Sequence, residues 1–132
     1  MTLSHVQPPA TADRVSRHTA RSVNAGIRRR TEESVRRHAL HPAAIDRRLV
    51  ELDREWDIER ALEANASTLA LAGLGLAATV DRRFIALPFA VAAFLLQHAV
   101  QGWCPPVPVM RRLGFRTQVE IDEERVALKA MR

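Results

Sequence analysis

Tyrosine is absent from this sequence, and cysteine occurs only once, at Cys104. A single cysteine excludes an internal disulfide framework, so oxidative cross-links contribute nothing to the fold. We also find no sustained alternation of apolar and polar residues, which is the pattern of a half-buried β-strand. These absences predict an all-helical chain, and its 132 residues are enough for one domain at most.

The motifs of common enzyme classes are missing as well. There is no nucleotide-binding loop, no hydrolase triad and no pair of catalytic carboxylates in a recognisable context. The acidic pairs Glu32–Glu33 and Glu123–Glu124 have the pattern of ordinary helix-surface residues. His98 and Cys104 are six residues apart, a spacing that points them to different helix faces, and no second pair of ligands has metal spacing. We therefore predict no metal site, no cofactor and no enzymatic activity.

Positive charge is in excess, with a formal net charge of +5 that comes almost entirely from arginine. Such a balance suits an anionic partner, either nucleic acid or acidic lipid headgroups. Arg14, Arg17, Arg21 and Arg28 recur near helical spacing. Together with Arg29, Arg30, Arg36 and Arg37 they form a predicted basic stripe that contacts lipid headgroups or another anion. A solvated face balanced by nearby acids is the alternative. Nucleic acid is disfavoured, because the region has no aromatic side chain for base stacking.

Two apolar blocks, residues 64–80 and 84–103, are separated only by the charged link 81–83. A link this short forces two helices to lie antiparallel. A helix needs about 20 residues to cross the roughly 30 Å of hydrocarbon in a bilayer, and the uninterrupted part of the first block is shorter. We therefore predict an all-α fold with a membrane hairpin of two short antiparallel transmembrane helices.

Small residues recur along one face of each block, and such faces let membrane helices approach closely and self-associate. These residues are Ala66, Ala70, Gly73 and Ala77 in the first block and Ala86, Ala90 and Ala93 in the second. Trp103 suits the headgroup level, and Arg111, Arg112 and Arg116 follow it. Arginines on both sides of the hairpin favour cytoplasmic termini. The polar first twelve residues predict no signal peptide.

The remaining segments flank the hairpin. We predict a basic helical arm over 1–41 with a disordered tail, an amphipathic helix over 42–63, the hairpin over 64–104, and a proline-rich turn with a short closing helix over 105–132. In the arm, Thr11 is the expected N-cap of a helix beginning at Asp13, and a second helix restarts near Thr31. His41-Pro42 interrupts it.

The amphipathic helix places Ile45, Leu49, Leu52 and Trp56 on one stripe, and we expect it to continue without a break into the first apolar block. At the other end of the chain, Thr117 and Glu120 form a capping-box pattern. A closing helix is therefore predicted from Gln118 to about Ala130.

A specific motif, GWCP at 102–105, ends the second apolar block, and LGFRT follows at 113–117. In this combination the chain resembles the YgaP-like transmembrane family over residues 57–117. Members of that family are short bacterial inner-membrane hairpins, found alone or beside a rhodanese (sulfurtransferase) domain. The resemblance implies a location in the bacterial cytoplasmic membrane and a sulfurtransferase as partner. No rhodanese signature is present in this sequence.

Cys104 is the one candidate nucleophile. A thiol becomes reactive when nearby positive charge or a helix N-terminus favours its thiolate, but Cys104 follows a helix C-terminus. Nucleophilic cysteines also come with a base and an orienting group, and no such pair is evident. We therefore favour a packing role over a carrier thiol.

A polar cluster is predicted from the register of an antiparallel hairpin. Glu63 on the first helix then lies level with Gln97, His98 and Gln101 on the second, near the cytoplasmic boundary. An ionisable group inside a membrane segment is a functional candidate. The alternative is mutual hydrogen bonding at a boundary within reach of water.

Three classes of function remain open from the sequence. The first is a non-enzymatic inner-membrane anchor or subunit that self-associates in the lipid bilayer. The second is handling or transport of sulfur compounds with Cys104 as carrier. The third is a soluble helical bundle that buries the apolar blocks against Ile45–Trp56 and binds nucleic acid.

Overall fold

The computed structural model describes residues 12–132, and all regular structure within them is helical. The helices are α1 (Arg14–Arg17), α2 (Arg21–Leu40), α3 (Ile45–Arg54), α4 (Ile58–Thr79), α5 (Ala86–Gln101), α6 (Pro106–Leu113) and α7 (Gln118–Ala130), with 3-10 turns at Pro42–Ala44 and Arg82–Ile85. The prediction of an all-α chain is confirmed for this range. Thr11 and the tail before it lie outside the described residues.

The chain forms two compact units. One, the apolar unit, comprises Ala64–Pro105 together with residues 12–18. The other, the head unit, comprises Thr19–Glu63 and Pro106–Arg132. The head unit is therefore discontinuous in sequence, because the apolar unit is inserted between its two parts.

The head unit is built around a small apolar core. Ile45, Leu49 and Leu52 contribute the buried stripe of α3, and Ile121 and Leu128 contribute that of α7. Both sets recur at spacings of three, four or seven residues, which places them on one face of a helix. Helix α2 packs along α7 and completes the unit.

The basic arm differs from its prediction in two ways. Helix α1 stops at Arg17 after one turn, and α2 begins at Arg21 and passes Thr31 without a restart. The predicted end at His41-Pro42 is confirmed. His41 has the non-helical dihedral angles φ −133° and ψ 69°, because the proline ring disfavours the helical conformation of the residue before it.

The predicted continuous helix from α3 into α4 is wrong. The chain leaves the helical conformation between Glu55 and Asp57, so Trp56 lies off the buried stripe and is exposed. The Asp57 carboxylate caps α4 by accepting a hydrogen bond from the Arg60 backbone N–H at 2.9 Å. The Ile58 N–H donates to the carbonyl of Arg116 at 2.8 Å. These contacts provide acceptors for backbone N–H groups at the start of α4. In a continuous helix, carbonyl groups of the preceding turn would be the acceptors.

The predicted proline-rich turn is a helix from Pro106 onward. Pro106 and Pro108 occupy the first turn of α6, where backbone N–H groups have no partner within the helix and proline therefore costs little. Gly114 ends α6 with φ of 99°, a left-handed conformation that suits glycine. The capping box of Thr117 and Glu120 and the range of α7 are confirmed.

In the apolar unit, α4 and α5 meet at Gly73. A Cβ atom added to Gly73 would lie 2.6 Å from Cδ of Pro88, so only glycine permits this approach. The contact joins residues on either side of the short link, where the Asp81 side chain accepts a hydrogen bond from the Arg83 backbone N–H. The chain therefore turns back on itself between the two helices.

The small-residue faces of these helices are unequally covered. Ala66 and Gly73 are buried and Ala70 and Ala77 are half-buried on α4. On α5, Ala90 is half-buried, whereas Ala86 and Ala93 are exposed.

Helix α1 covers the end of α5. Gly102 takes φ of 79°, and a Cβ there would lie 2.5 Å from Cβ of Arg14. The missing side chain therefore makes room for α1. Val15 from α1 and His98 from α5 are among the buried residues of this unit.

Candidate functional site

Two features of the described residues stand apart from ordinary packing. One is a buried network of arginines and carboxylates in the head unit. The other is the apolar surface of α4 and α5.

Glu124 lies at the centre of the buried network, with 0% of its side chain exposed. Its carboxylate accepts hydrogen bonds from the Ser34 hydroxyl at 2.6 Å, from Nε of Arg48 at 2.9 Å and from Nη1 of Arg116 at 2.6 Å. Arg116 also donates two hydrogen bonds to the carboxylate of Glu55, at 2.8 and 2.6 Å. The charge of Glu124 is thus matched by two guanidinium groups.

This environment shifts the acid–base properties of the network. Burial alone would raise the pKa of Glu124, but hydrogen bonds from Arg48, Ser34 and Arg116 outweigh it and lower the pKa to about 2. The hydrogen bond to Glu124 raises the pKa of Arg48. Burial lowers the pKa of Arg116, yet its bonds to Glu55 and Glu124 raise it overall. All of these groups are therefore charged at neutral pH.

Arg111 forms a second network beside the first. Its guanidinium is fully buried and donates to both carboxylate oxygens of Glu120 at 2.7 Å. It also donates to the side chains of Thr19 at 3.2 Å and Asn24 at 2.8 Å. Burial would raise the pKa of Glu120, but hydrogen bonds from Arg111 and the Thr117 backbone N–H lower it. Glu120 therefore joins the cap of α7 to the buried arginine.

These networks correct two predictions. Glu124 is not a helix-surface acid, since it is fully buried between Ser34 and two arginines. Arg111 and Arg116, which were predicted only as positive charge that follows the hairpin, are both buried and paired with carboxylates. The signal in the sequence was the spacing of Ile121, Glu124 and Leu128, which places an acid within the apolar stripe of α7.

The predicted basic stripe is divided by the fold. Arg14 and Arg17 lie on α1 in the apolar unit, whereas Arg21 and Arg28 lie on α2 in the head unit. Arg17, Arg21 and Arg28 are exposed and Arg14 is half-buried. The four residues therefore do not share one helix, and contact with lipid headgroups remains a prediction for each pair separately.

Cys104 follows α5 in the chain and is only 2% exposed. Burial of this kind is typical of a small packed residue and keeps a thiol away from a second protein or a solute. The packing role of Cys104 remains a prediction.

The predicted polar cluster is tested only within α5. There the Gln97 side-chain amide donates weakly to that of Gln101 at 3.5 Å, and His98 is buried. Glu63 is exposed and belongs to the head unit. Its place beside the α5 residues therefore stays a prediction.

The apolar surface runs along α4, the link and α5. Its large exposed side chains are Leu69, Leu71, Leu74, Leu76, Val80, Phe84, Ile85, Phe89, Phe94, Leu95, Leu96 and Val100. Two stretches, Pro42–Thr79 and Arg82–Gln101, each contain a helix that is long enough and apolar enough to cross a membrane. In the most apolar part of the first stretch, 17% is buried. In the most apolar part of the second, 6% is buried.

No protein-family model, no curated protein and no solved structure matches this chain, so the resemblance to the YgaP-like transmembrane family stays a prediction.

Proposed function

We propose that this chain is a non-enzymatic membrane protein. In this proposal α4 and α5 form a transmembrane hairpin, and the head unit is a cytoplasmic module that the hairpin anchors. The observation that carries the proposal is the exposed apolar surface of α4 and α5. Soluble monomers seldom expose contiguous apolar patches of more than a few hundred Å², and such patches mark protein or membrane contacts.

Burial supports a bilayer over a soluble bundle as the environment of these helices. The core helix of a soluble protein is mostly buried, but the most apolar parts of the two stretches here are 17% and 6% buried. Leu71 on α4 and Leu96 on α5 are 70% and 67% exposed. A soluble bundle that buries these helices against Ile45–Trp56 also loses support, because Ile45, Leu49 and Leu52 already pack against α7.

The ends of the helices fit the proposal. The part of α4 within the apolar unit, Ala64–Thr79, and helix α5, with 16 residues, each correspond to about 24 Å at the rise of an α-helix, so the bilayer thins locally around them. Trp56 precedes α4 and Trp103 follows α5, and tryptophan is enriched at the headgroup level of membranes. The opposite end of each helix meets the charged link of Asp81, Arg82 and Arg83.

Self-association and a sulfurtransferase partner belong to the same proposal at a finer level. The exposed Ala86 and Ala93 leave a small-residue face of α5 for a second copy. The sulfurtransferase rests only on the family resemblance. The burial of Cys104 gives no support to a carrier thiol.

The test is fractionation of the expressed protein followed by carbonate extraction of the membranes. We expect the protein to resist extraction and to require detergent. In a double variant, Leu71→Arg and Leu96→Arg place charges in the middle of both apolar helices, each at a cost of about 2.5–3.5 kcal/mol in a bilayer. That variant should be lost from the membrane fraction.

The matched control is Val126→Arg, which adds an arginine at a site on α7 that is 67% exposed. It should remain in the membrane fraction. Release of the original protein by carbonate, or equal retention of the double variant, would contradict the proposal.

A further inference from the structure

A groove of about 590 Å³ lies between α2 and α3 in the head unit, within the usual size range of ligand sites. Its α2 wall includes Arg30, Arg37 and His38, and its α3 wall includes Arg47 and Arg48. The positions on α2 recur at spacings of seven and eight residues, so they share one helix face. The lining is thus rich in cations, and two of them, Arg30 and Arg37, belong to the predicted basic stripe.

The arginines of the groove differ in whether they already form an ion pair with a carboxylate. Arg48 is occupied by Glu124 at 2.9 Å and by Glu51 at 3.1 Å. Arg47 lies 4.0 Å from the same Glu51, with 81% of its side chain exposed. Within residues 12–132, Arg30 and Arg37 form no ion pair.

The acids that face the groove do not cancel this charge. The lining contains two glutamates, Glu33 and Glu51, against four arginines. Glu51 is paired with Arg48, so Glu33 is the one remaining acid of the lining that can offset the charge of its other arginines. The local charge is therefore positive even when both acids are ionised.

Neighbouring backbone fixes several of the lining side chains. A Cβ at Gly114 would lie 2.7 Å from Nη1 of Arg30, so the absence of a side chain there leaves room for the guanidinium. Nδ1 of His38 lies 2.7 Å from the carbonyl oxygen of Ser34, and Nδ1 of His41 lies 3.1 Å from that of Arg37. A carbonyl only accepts, so both rings carry a proton on Nδ1 and hold one orientation.

We propose that this groove binds a phosphate-bearing anion through Arg30 and Arg37, with Arg47 as the cation of the opposite wall. A guanidinium can give two parallel hydrogen bonds to phosphate oxygens, and two that lack a carboxylate partner lose no ion pair when they do so. The phosphate can belong to a soluble metabolite or to the headgroup of an anionic lipid. The site depends on the head unit alone and does not require the hairpin of the proposed function.

The test is isothermal titration of the full chain, in a neutral detergent, with inorganic pyrophosphate as the probe. We expect saturable binding that the double variant Arg30→Gln and Arg37→Gln weakens by at least about tenfold. The matched control is Arg29→Gln with Arg36→Gln. These exposed residues lie on the same helix with the same seven-residue separation, do not line the groove, and remove the same charge.

The control variant should bind with affinity close to that of the original protein. Equal weakening by both double variants would show general attraction of counter-ions and overturn the site. Absence of saturable binding in the original protein would also overturn it. Circular dichroism shows whether each variant is folded, and replacement of Arg47 by glutamine provides a second test from the opposite wall with the same expected direction.

The source of the phosphate is assigned by repeating the titration in nanodiscs of phosphatidylcholine with and without phosphatidic acid. A groove occupied by lipid would bind pyrophosphate more weakly when phosphatidic acid is present, and only in proteins that retain Arg30 and Arg37. Equal affinity in both nanodiscs assigns a soluble ligand. If carbonate extraction shows no membrane insertion, the titration in solution still tests the groove, so the two proposals fail independently.

Discussion

Glu124 is the residue through which three parts of the head unit are joined. It accepts hydrogen bonds from Ser34 on α2, Arg48 on α3 and Arg116 before α7. A buried ion pair contributes little relative to an apolar replacement, but removing one partner leaves an uncompensated charge. The network therefore specifies which helix faces meet more than it adds to the free energy of folding.

Replacement of Glu124 by glutamine should destabilise the head unit by about 3–5 kcal/mol, because two guanidinium groups lose their shared carboxylate. Urea unfolding in neutral detergent, followed by Trp56 fluorescence in a Trp103→Phe background, measures the change. Glu123→Gln is the control, since this neighbour is exposed and its loss should change stability by less than about 0.5 kcal/mol. Equal effects would show that the network is not what holds the helices.

Stability of the head unit should fall on acidification. The pKa of Glu124 is lowered in the folded state to about 2, so its contribution is present above the unfolded pKa and is lost as the pH falls toward 2. For a carboxyl with an ordinary pKa near 4.5, this contribution is about 3 kcal/mol. Glu120 acts in the same direction.

Urea midpoints measured between pH 7 and pH 2 test this dependence. The decline should be shallower in Glu124→Gln than in Glu123→Gln, because the former lacks the main titrating group. Parallel curves for the two variants would assign the pH dependence to other carboxyls.

Among helices, the meeting of α4 and α5 depends on one of two nearby glycines. Gly73→Ala places a methyl group 2.6 Å from Pro88, whereas a Cβ at Gly75 has nothing within 4 Å apart from its chain neighbours and the backbone of its own helix. Overpacking should make Gly73→Ala less stable by about 1–3 kcal/mol. Gly75→Ala should be neutral or stabilising by up to about 1 kcal/mol, since alanine favours helix.

Thermal unfolding of both variants in detergent, followed by far-ultraviolet circular dichroism, compares them directly. A lower midpoint for Gly73→Ala alone is the expected result. If both variants melt together, the contact at Gly73 does not hold the two helices.

The helices that could be predicted from sequence are those set by neighbouring residues. The cap of α7 is local, since Thr117 and Glu120 are three residues apart. The break before α4 has one local signal, the cap of Asp57 on the Arg60 N–H, but its other hydrogen bond, from Ile58 to the distant Arg116, cannot be predicted from neighbouring residues. Helix α6 was missed because prolines were interpreted as a turn, although a first helical turn accepts them.

The same division applies to the candidate sites. The apolar surface followed from composition, because long apolar runs can be recognised without a partner. The buried networks and the groove required the pairing of α2, α3 and α7, which local periodicity does not specify. Arg30 and Arg37 look like any other arginines of the arm until α3 is placed beside them.

For the whole molecule, the proposed hairpin predicts that the link and the C-terminal helix lie on opposite sides of the membrane. In a Cys104→Ala background, Arg83→Cys should react with a membrane-impermeant maleimide applied to spheroplasts. Ala130→Cys should react only after lysis. Both positions are exposed within their own units, so burial does not decide the difference.

Labelling of Ala130→Cys before lysis and of Arg83→Cys only after lysis would show the opposite orientation to the one proposed. The proposed orientation rests on the arginines outside the link. Labelling of both positions before lysis would instead contradict membrane insertion of α4 and α5. Positive charge favours the cytoplasmic side of a membrane. Arg83→Cys removes positive charge from the link, so the substitution itself does not disfavour the proposed orientation with cytoplasmic termini.

The discontinuity of the head unit has a consequence for how the protein is made. Ser34 and Arg48 leave the ribosome before α4 and α5, but their partner Glu124 leaves after both. The first part of the head unit therefore cannot complete its core while α4 and α5 are being synthesised. If α4 and α5 insert as proposed, translation places their insertion before the closure of the head unit by α7.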